Sequence, residues 1–281
     1  SFFGGLSYML APFFVSLLYA GQDGKMFVIT LFPLAFFTLL RALEKERLFD
    51  YLLFGLVYLF MVISPHMQLA YFSAWVLGGY FVFVQIRRFI KKESSLKKVL
   101  LQTGAFLLGV AIFIGVAAPQ ILPATDYLGK YSQRLQQQGE ESGYEYSTSW
   151  SLHWGEFFSL LNHEYVGTSV GKNTYWSKNP FKLNSDYAGI LPILLAIFAL
   201  IFSQRKEKWF FLGVMVFTAI FALGANTPFY RIFYAIIPQV SKFRAPAMII
   251  FLFGFSAILL AAMGLELLVN SEKREKINLR G

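Results

Sequence analysis

Apolar residues run almost unbroken through residues 2–20, 26–43, 48–64, 67–86, 99–118, 187–203, 209–224 and 246–269, and the charged residues gather in the gaps between them. A soluble amphipathic helix would interrupt such a run with a polar face every three or four residues. Each stretch instead approaches or exceeds the roughly 17 residues that cross a bilayer as a helix. The pattern predicts an all-α integral membrane protein, a multi-span helical bundle of about eight spans forming one transmembrane domain over residues 1–281. The second and third stretches are short and flanked by Arg41 and Asp50, which predicts tilted or partial spans. Pro12, Pro33 and Pro192 lie inside apolar runs, where proline kinks or interrupts a helix.

One gap is much longer than the rest. Residues 119–186 carry 12 aromatic side chains, including Trp150, Trp154 and Trp176. Disordered linkers avoid aromatics, so the spacing predicts a folded loop against the membrane surface. Within it, TSWSLHWGEFFSLL places Trp150, His153, Trp154, Phe157, Phe158 and Leu161 on one helical face, with Ser149 or a neighbour as cap. That reads either as an interfacial helix with tryptophans at headgroup depth or as a plug over the bundle.

Charge gives the orientation. Alternate gaps divide the 25 Lys and Arg residues into 16, in a set that includes RRFIKKESSLKK, and nine, in a set that is longer in total and includes 119–186. The denser set marks the cytoplasmic side. The long loop is then outside, as for a protein of the bacterial cytoplasmic (inner) membrane. The net charge of +9 sits in these gaps and forms no stripe interleaved with aromatics, so nucleic acid is not an implied partner. A mean hydropathy of +0.53 and only 15% charged residues support the membrane class. The absence of cysteine excludes disulfides, thiolate metal sites and a cysteine nucleophile. The chain opens at Ser1 on an apolar run with no charged leader, which reads as an internal fragment of a longer protein.

Span interiors lack ionisable residues, which disfavours an ion- or proton-coupled transporter. Asp50 and Glu266 fall at cytoplasmic span ends, where exposure explains them. Chemistry should therefore collect in the outer gaps. His66, between Pro65 and Gln68, can bond a phosphate or a sugar hydroxyl, or act as a polar turn residue. Asp126 can orient a hydroxyl or serve as a general base, and beside Tyr127 it can equally cap a turn after Pro123. His163 and Glu164 are adjacent and lack the HExxH spacing, so no zinc site is read there. Lys25, Arg231, Lys242 and Arg244 lie near outer span ends. They either snorkel to lipid headgroups or clamp a phosphate, with Arg as a planar multidentate donor. Pro246 would open the last span, leaving free backbone N–H groups that favour the same anion.

Several stretches together resemble the YfhO-like bacterial membrane proteins, a branch of the GT-C superfamily of integral membrane glycosyltransferases. They are GQDGKMFVITLFPLAFFTLLRALEKER, SPHMQLAYFSAWVLGGY, VAAPQILPATDYLGKYSQR, FFSLLNHEYVG with YAGILPILLA, and GANTPFYRIFYAIIPQVSKFRAPAMIIFLFGFSAILLAAMGLELL. The resemblance implies sugar transfer outside the cytoplasmic membrane, with membrane lipid around the protein and a polyprenyl-phosphate-linked sugar as donor. It implies an acidic catalytic residue in a first outer loop upstream of Ser1. Arg244, Lys242 and Arg231 would stabilise the departing lipid phosphate, His66 and Gln68 would line the donor pocket, and Asp126 would contact acceptor or sugar. Tyr127, His163 and Glu164 would add substrate contacts. Cofactors stay open. Two other readings share these features, namely a noncatalytic subunit bound to protein partners in a membrane complex and a lipid-linked sugar translocase.

Overall fold

The computed structural model describes residues 2–131, 140–163, 165–169, 174–180, 183 and 185–270, and every regular element among them is helical. In chain order these are α1 (Phe2–Met9), α2 (Pro12–Tyr19), α3 (Asp23–Lys45), α4 (Leu48–Val62), α5 (Met67–Ile90) and α6 (Leu96–Tyr131). α7 (Glu140–Thr148) and the single turn α8 (Trp154–Phe157) follow. Then come α9 (Ile190–Phe202), α10 (Glu207–Ala222), α11 (Phe229–Ile236) and α12 (Ile250–Val269).

Each of the eight apolar stretches is helical, and five helical segments are long and apolar enough to cross a membrane: Phe2–Tyr19 counted across the α1–α2 break, Asp23–Lys45, Met67–Ile90, Leu96–Tyr127 and Pro246–Val269. This is the make-up of a multi-pass membrane protein. α4 and α9 are apolar but shorter. α6 continues through Pro119 and Pro123 to Tyr131, so the start of the stretch expected as an outer loop is helix instead. Prolines are tolerated there because membrane helices re-satisfy the freed carbonyls locally.

Contacts gather into two compact units, Ser1–Gln22 with Glu140–Gly281, and Asp23–Gly139, where the sequence pattern predicts one domain. In the first unit α12 is the axis, with α9, α10, α1 and α2 against it. Gly264 lets the Leu195 carbonyl lie against α12 where any Cβ would collide with it. Tyr8 meets Phe255 edge-on at 5.8 Å and Phe13 at 5.6 Å. Pro12 occupies the first turn of α2 and Ala11 before it is extended (φ −62°, ψ 132°), so the first apolar run is two helices and not one.

In the second unit α4 lies between α3 and α6, and α5 packs on α3. Phe81 stacks on Phe106 at 4.3 Å and Phe36 meets Tyr80 at 4.9 Å. The end of this unit that carries the basic segment 87–98 is tied by charge. Asp50 is buried, with only 1% of its side chain exposed, and takes a 2.6 Å bond from Arg41. This corrects the expectation that Asp50 is merely exposed: a carboxylate so buried is retained by pairing. Glu46 accepts Lys98 at 2.6 Å and Arg88 at 3.2 Å, while Arg88 also caps the Leu43 carbonyl at 2.9 Å. Burial works against the Glu46 charge. The Lys98 bond and charge, with Gln102 and Arg88, outweigh it and hold the carboxyl below its usual range. Glu266, in the other unit, pairs with Arg205 at 2.8 Å, both partly exposed, as expected of a span end.

Candidate functional site: a cationic rim beside an aromatic loop

The SKFRAP stretch acquires a partner from the loop. The Trp150 N–H donates to the Arg244 carbonyl at 3.1 Å, and Ala247 N–H donates to the Trp150 carbonyl at 3.3 Å. Leu152 N–H reaches the Ala222 carbonyl at 2.7 Å, and the Asn226 amide reaches the Leu152 carbonyl at 2.9 Å. With these backbone groups spent on partners distant in sequence, the helix expected to begin at Ser149 does not form there. Only the turn α8 and a 3-10 turn at Phe158–Leu160 remain of it.

The turn is fixed by a buried carboxylate. Glu156 is 1% exposed and accepts the His153 N–H at 3.0 Å, the Tyr175 hydroxyl at 2.8 Å and the Asn179 amide at 3.0 Å. Burial and then the neighbouring Glu156 raise the Tyr175 phenol. Of the residues the sequence placed on one helical face, Trp154, Phe158 and Leu161 are exposed, and the exposed Tyr165 stands between Phe158 at 5.3 Å and the exposed Trp176 at 5.9 Å.

Three cations of this unit, Arg231, Lys242 and Arg244, lie near α7 or the residues that follow it. The Arg231 guanidinium stands 5.7 Å over the Tyr144 ring of α7, a cation–π contact worth ~0.5–1 kcal/mol at an exposed site. Lys242 ends a 3-10 turn, Val240–Lys242, that lies against both α7 and α11. Gln239 sets that turn with φ +68°, a left-handed conformation costing roughly 1–2 kcal/mol. Arg244 follows the extended Phe243, its carbonyl held by the Trp150 N–H. All three side chains are exposed, and Lys242 and Arg244 have no ion-pair partner among the described residues.

One expectation about this rim is overturned. Pro246 does sit in the opening turn of the last span, but that turn is 3-10, and its N–H groups are used: Ala247 by Trp150 and Met248 by Ala245. Any anion here is held by side chains, without a helix N-terminus behind them.

His66 and Gln68 belong to the other unit. His66 stands in the turn between α4 and α5, and Pro65 beside it rests on Gly24. Its Nδ1 is buried and without a hydrogen-bond partner. Burial, with the Lys25 charge second, pushes its pKa down to about 4. The imidazole is therefore neutral at physiological pH, suited to a hydroxyl and not to neutralising a phosphate. Gln68, one position into α5, is buried. The Gln120 amide ties α6 to this turn through the Ile63 carbonyl at 3.0 Å. Asp126 lies six residues further along α6, ~9 Å beyond that contact by helical rise, so it and Tyr127 are exposed on the helix and not capping a turn.

His163 is exposed in the first unit, its ring 5.7 Å from that of Tyr187. Glu164 lies outside the described residues. Among the described residues no three His, Asp or Glu side chains gather as metal ligands. The structure thus groups Arg231, Lys242 and Arg244, and separately His66 with Lys25. Glu156 escaped the sequence reading, although a Glu three residues after His153 at a turn start is the spacing of a reciprocal cap. Comparison with protein-family models, curated proteins and solved structures finds no match to this chain.

Proposed function

We propose that this protein is a membrane glycosyltransferase that moves a sugar from a polyprenyl-phosphate-linked donor to an acceptor at the extracytoplasmic face. The observation that supports it best is the rim of Arg231, Lys242 and Arg244 beside α7 and Trp150, exposed next to the last apolar span. A lipid-linked donor presents its phosphate at that depth with its chain in the bilayer. Cations there stabilise the charge that grows on the phosphate as the glycosidic bond breaks. The acceptor hydroxyl needs a carboxylate base, and Asp126 is the candidate in this chain. The neutral His66 and Gln68 would bond sugar hydroxyls.

The experiment is the Arg244→Ala, Lys242→Ala double variant, assayed in detergent or nanodiscs for polyprenyl phosphate binding and for sugar transfer in membranes. Each charged contact to a partly desolvated phosphate is worth ~1.5–3 kcal/mol, so affinity should fall at least about tenfold per residue and transfer should cease. The melting temperature should stay near that of the parent, because both side chains are exposed. Unchanged affinity and transfer would remove the clamp.

A second reading, a noncatalytic subunit of a membrane complex, is favoured by α6. Only 11% of its most apolar stretch is buried, against 50% for α3 and α5, and Leu107, Ile112, Val116 and Leu122 are exposed along it. Absence of sugar transfer by the purified parent protein in proteoliposomes supplied with donor and acceptor would favour this reading, and intact transfer by an Asp126→Asn variant would remove Asp126 as the base.

A further inference from the structure

The α4–α6 contact is tightest at Gly55 and Gly109, where each glycine faces the other helix without room for a side chain. Toward the basic end of the same unit an apolar groove of about 700 Å³ opens, lined by Leu48 of α4 and by Leu96, Leu100, Gly104 and Leu108 of α6, with Lys97 at its mouth. Its size falls within the ~300–1,000 Å³ of small-molecule sites. It runs along an apolar helix, so its natural content is hydrocarbon.

Several of the basic charges at this end are already paired. Lys98 and Arg88 are held by Glu46, and Lys91 faces Glu93 at 3.7 Å. Lys97 is exposed and has no ion-pair partner among the described residues. α6 also begins here, and the positive end of its dipole favours the same sign of ligand. An apolar slot ending at an unpaired ammonium is complementary to an acyl chain ending in an anionic headgroup.

We infer that this groove is a binding site for one anionic phospholipid, its chain lying along Leu48, Leu100 and Leu108 and its phosphate at Lys97. The site is independent of the cationic rim and of sugar transfer.

Gly104 supplies a clean probe, because nothing lies within 4 Å of where its Cβ would stand. Gly104→Leu fills the groove without disturbing the packing. The full chain is released from nanodiscs of mixed phosphatidylglycerol and phosphatidylcholine and weighed by native mass spectrometry. The parent should retain one phosphatidylglycerol in preference to phosphatidylcholine. Lys97→Ala should cut that preference about fivefold, the worth of one interfacial cation. Gly104→Leu should remove the retained lipid of both types. Equal retention of the two lipids by the parent, or retention unchanged in both variants, overturns the site. A dimer of the parent that Gly104→Leu dissociates overturns it in favour of a second copy in the groove.

Discussion

Glu156 and His66 show how single residues here are set by what surrounds them. The Glu156 carboxylate is bought out of water by three donors from three separate positions, His153, Tyr175 and Asn179, and so closes the loop upon itself. His66 has the opposite arrangement, a buried ring nitrogen with no partner and a cation nearby. Its folded pKa of about 4 lies below the ~6.5 of an unfolded histidine. Above pH 6.5 both states are neutral and the burial is fully stabilising. Between about 6.5 and 4 the unfolded state alone takes up the proton, so stability falls with falling pH and the loss is complete below about 4. The melting temperature of the parent should drop more between pH 7.5 and 4.5 than that of His66→Gln, which removes this titration and leaves the carboxylates in both. Parallel pH profiles would show that His66 is not buried as a neutral ring.

At the level of elements, short side chains and prolines decide where helices break and how closely they approach. Pro12 splits the first apolar run, whereas Pro119 and Pro123 do not end α6. The difference is that Ala11 is drawn into an extended conformation while α6 keeps its apolar helical surroundings. A Cβ at Gly109 would stand 2.6 Å from the Tyr51 carbonyl oxygen, and one at Gly115 would meet nothing within 4 Å. Helix propensity alone would make Gly→Ala stabilising by ~0.8–1 kcal/mol at either position. Gly115→Ala should follow that rule. Gly109→Ala should instead destabilise by ~1–3 kcal/mol, because α4 and α6 must separate. Thermal melts of the two variants in one detergent test the pair, and equal shifts would contradict the close approach. The apolar runs were legible in the sequence because membrane burial demands them regardless of neighbours. The failed helix at Ser149–Leu161 was not, because its backbone partners, Arg244 and Ala222, lie far along the chain.

For the whole molecule, composition and charge make one joint statement about orientation. The chain has no cysteine, so a single introduced thiol reports its own side of the membrane. Lys178→Cys, exposed in the aromatic loop, should react with an impermeant maleimide on intact cells. Glu93→Cys, exposed in the basic segment, should react only after permeabilisation. The reverse result would invert the orientation and remove the cationic rim from the outer face.

By itself the sequence determined the membrane class, the helical segments and the sign and density of charge at their ends. These follow from what a bilayer accepts, one residue at a time. The tertiary structure alone decided that Asp50 is a buried ion pair, that the first-turn N–H groups of the last span are already bonded, and that Arg231, Lys242 and Arg244 come together beside α7 and Trp150. Each depends on which distant backbone or side chain arrives at the same place. Hydropathy, which describes a residue against its solvent, does not encode that meeting.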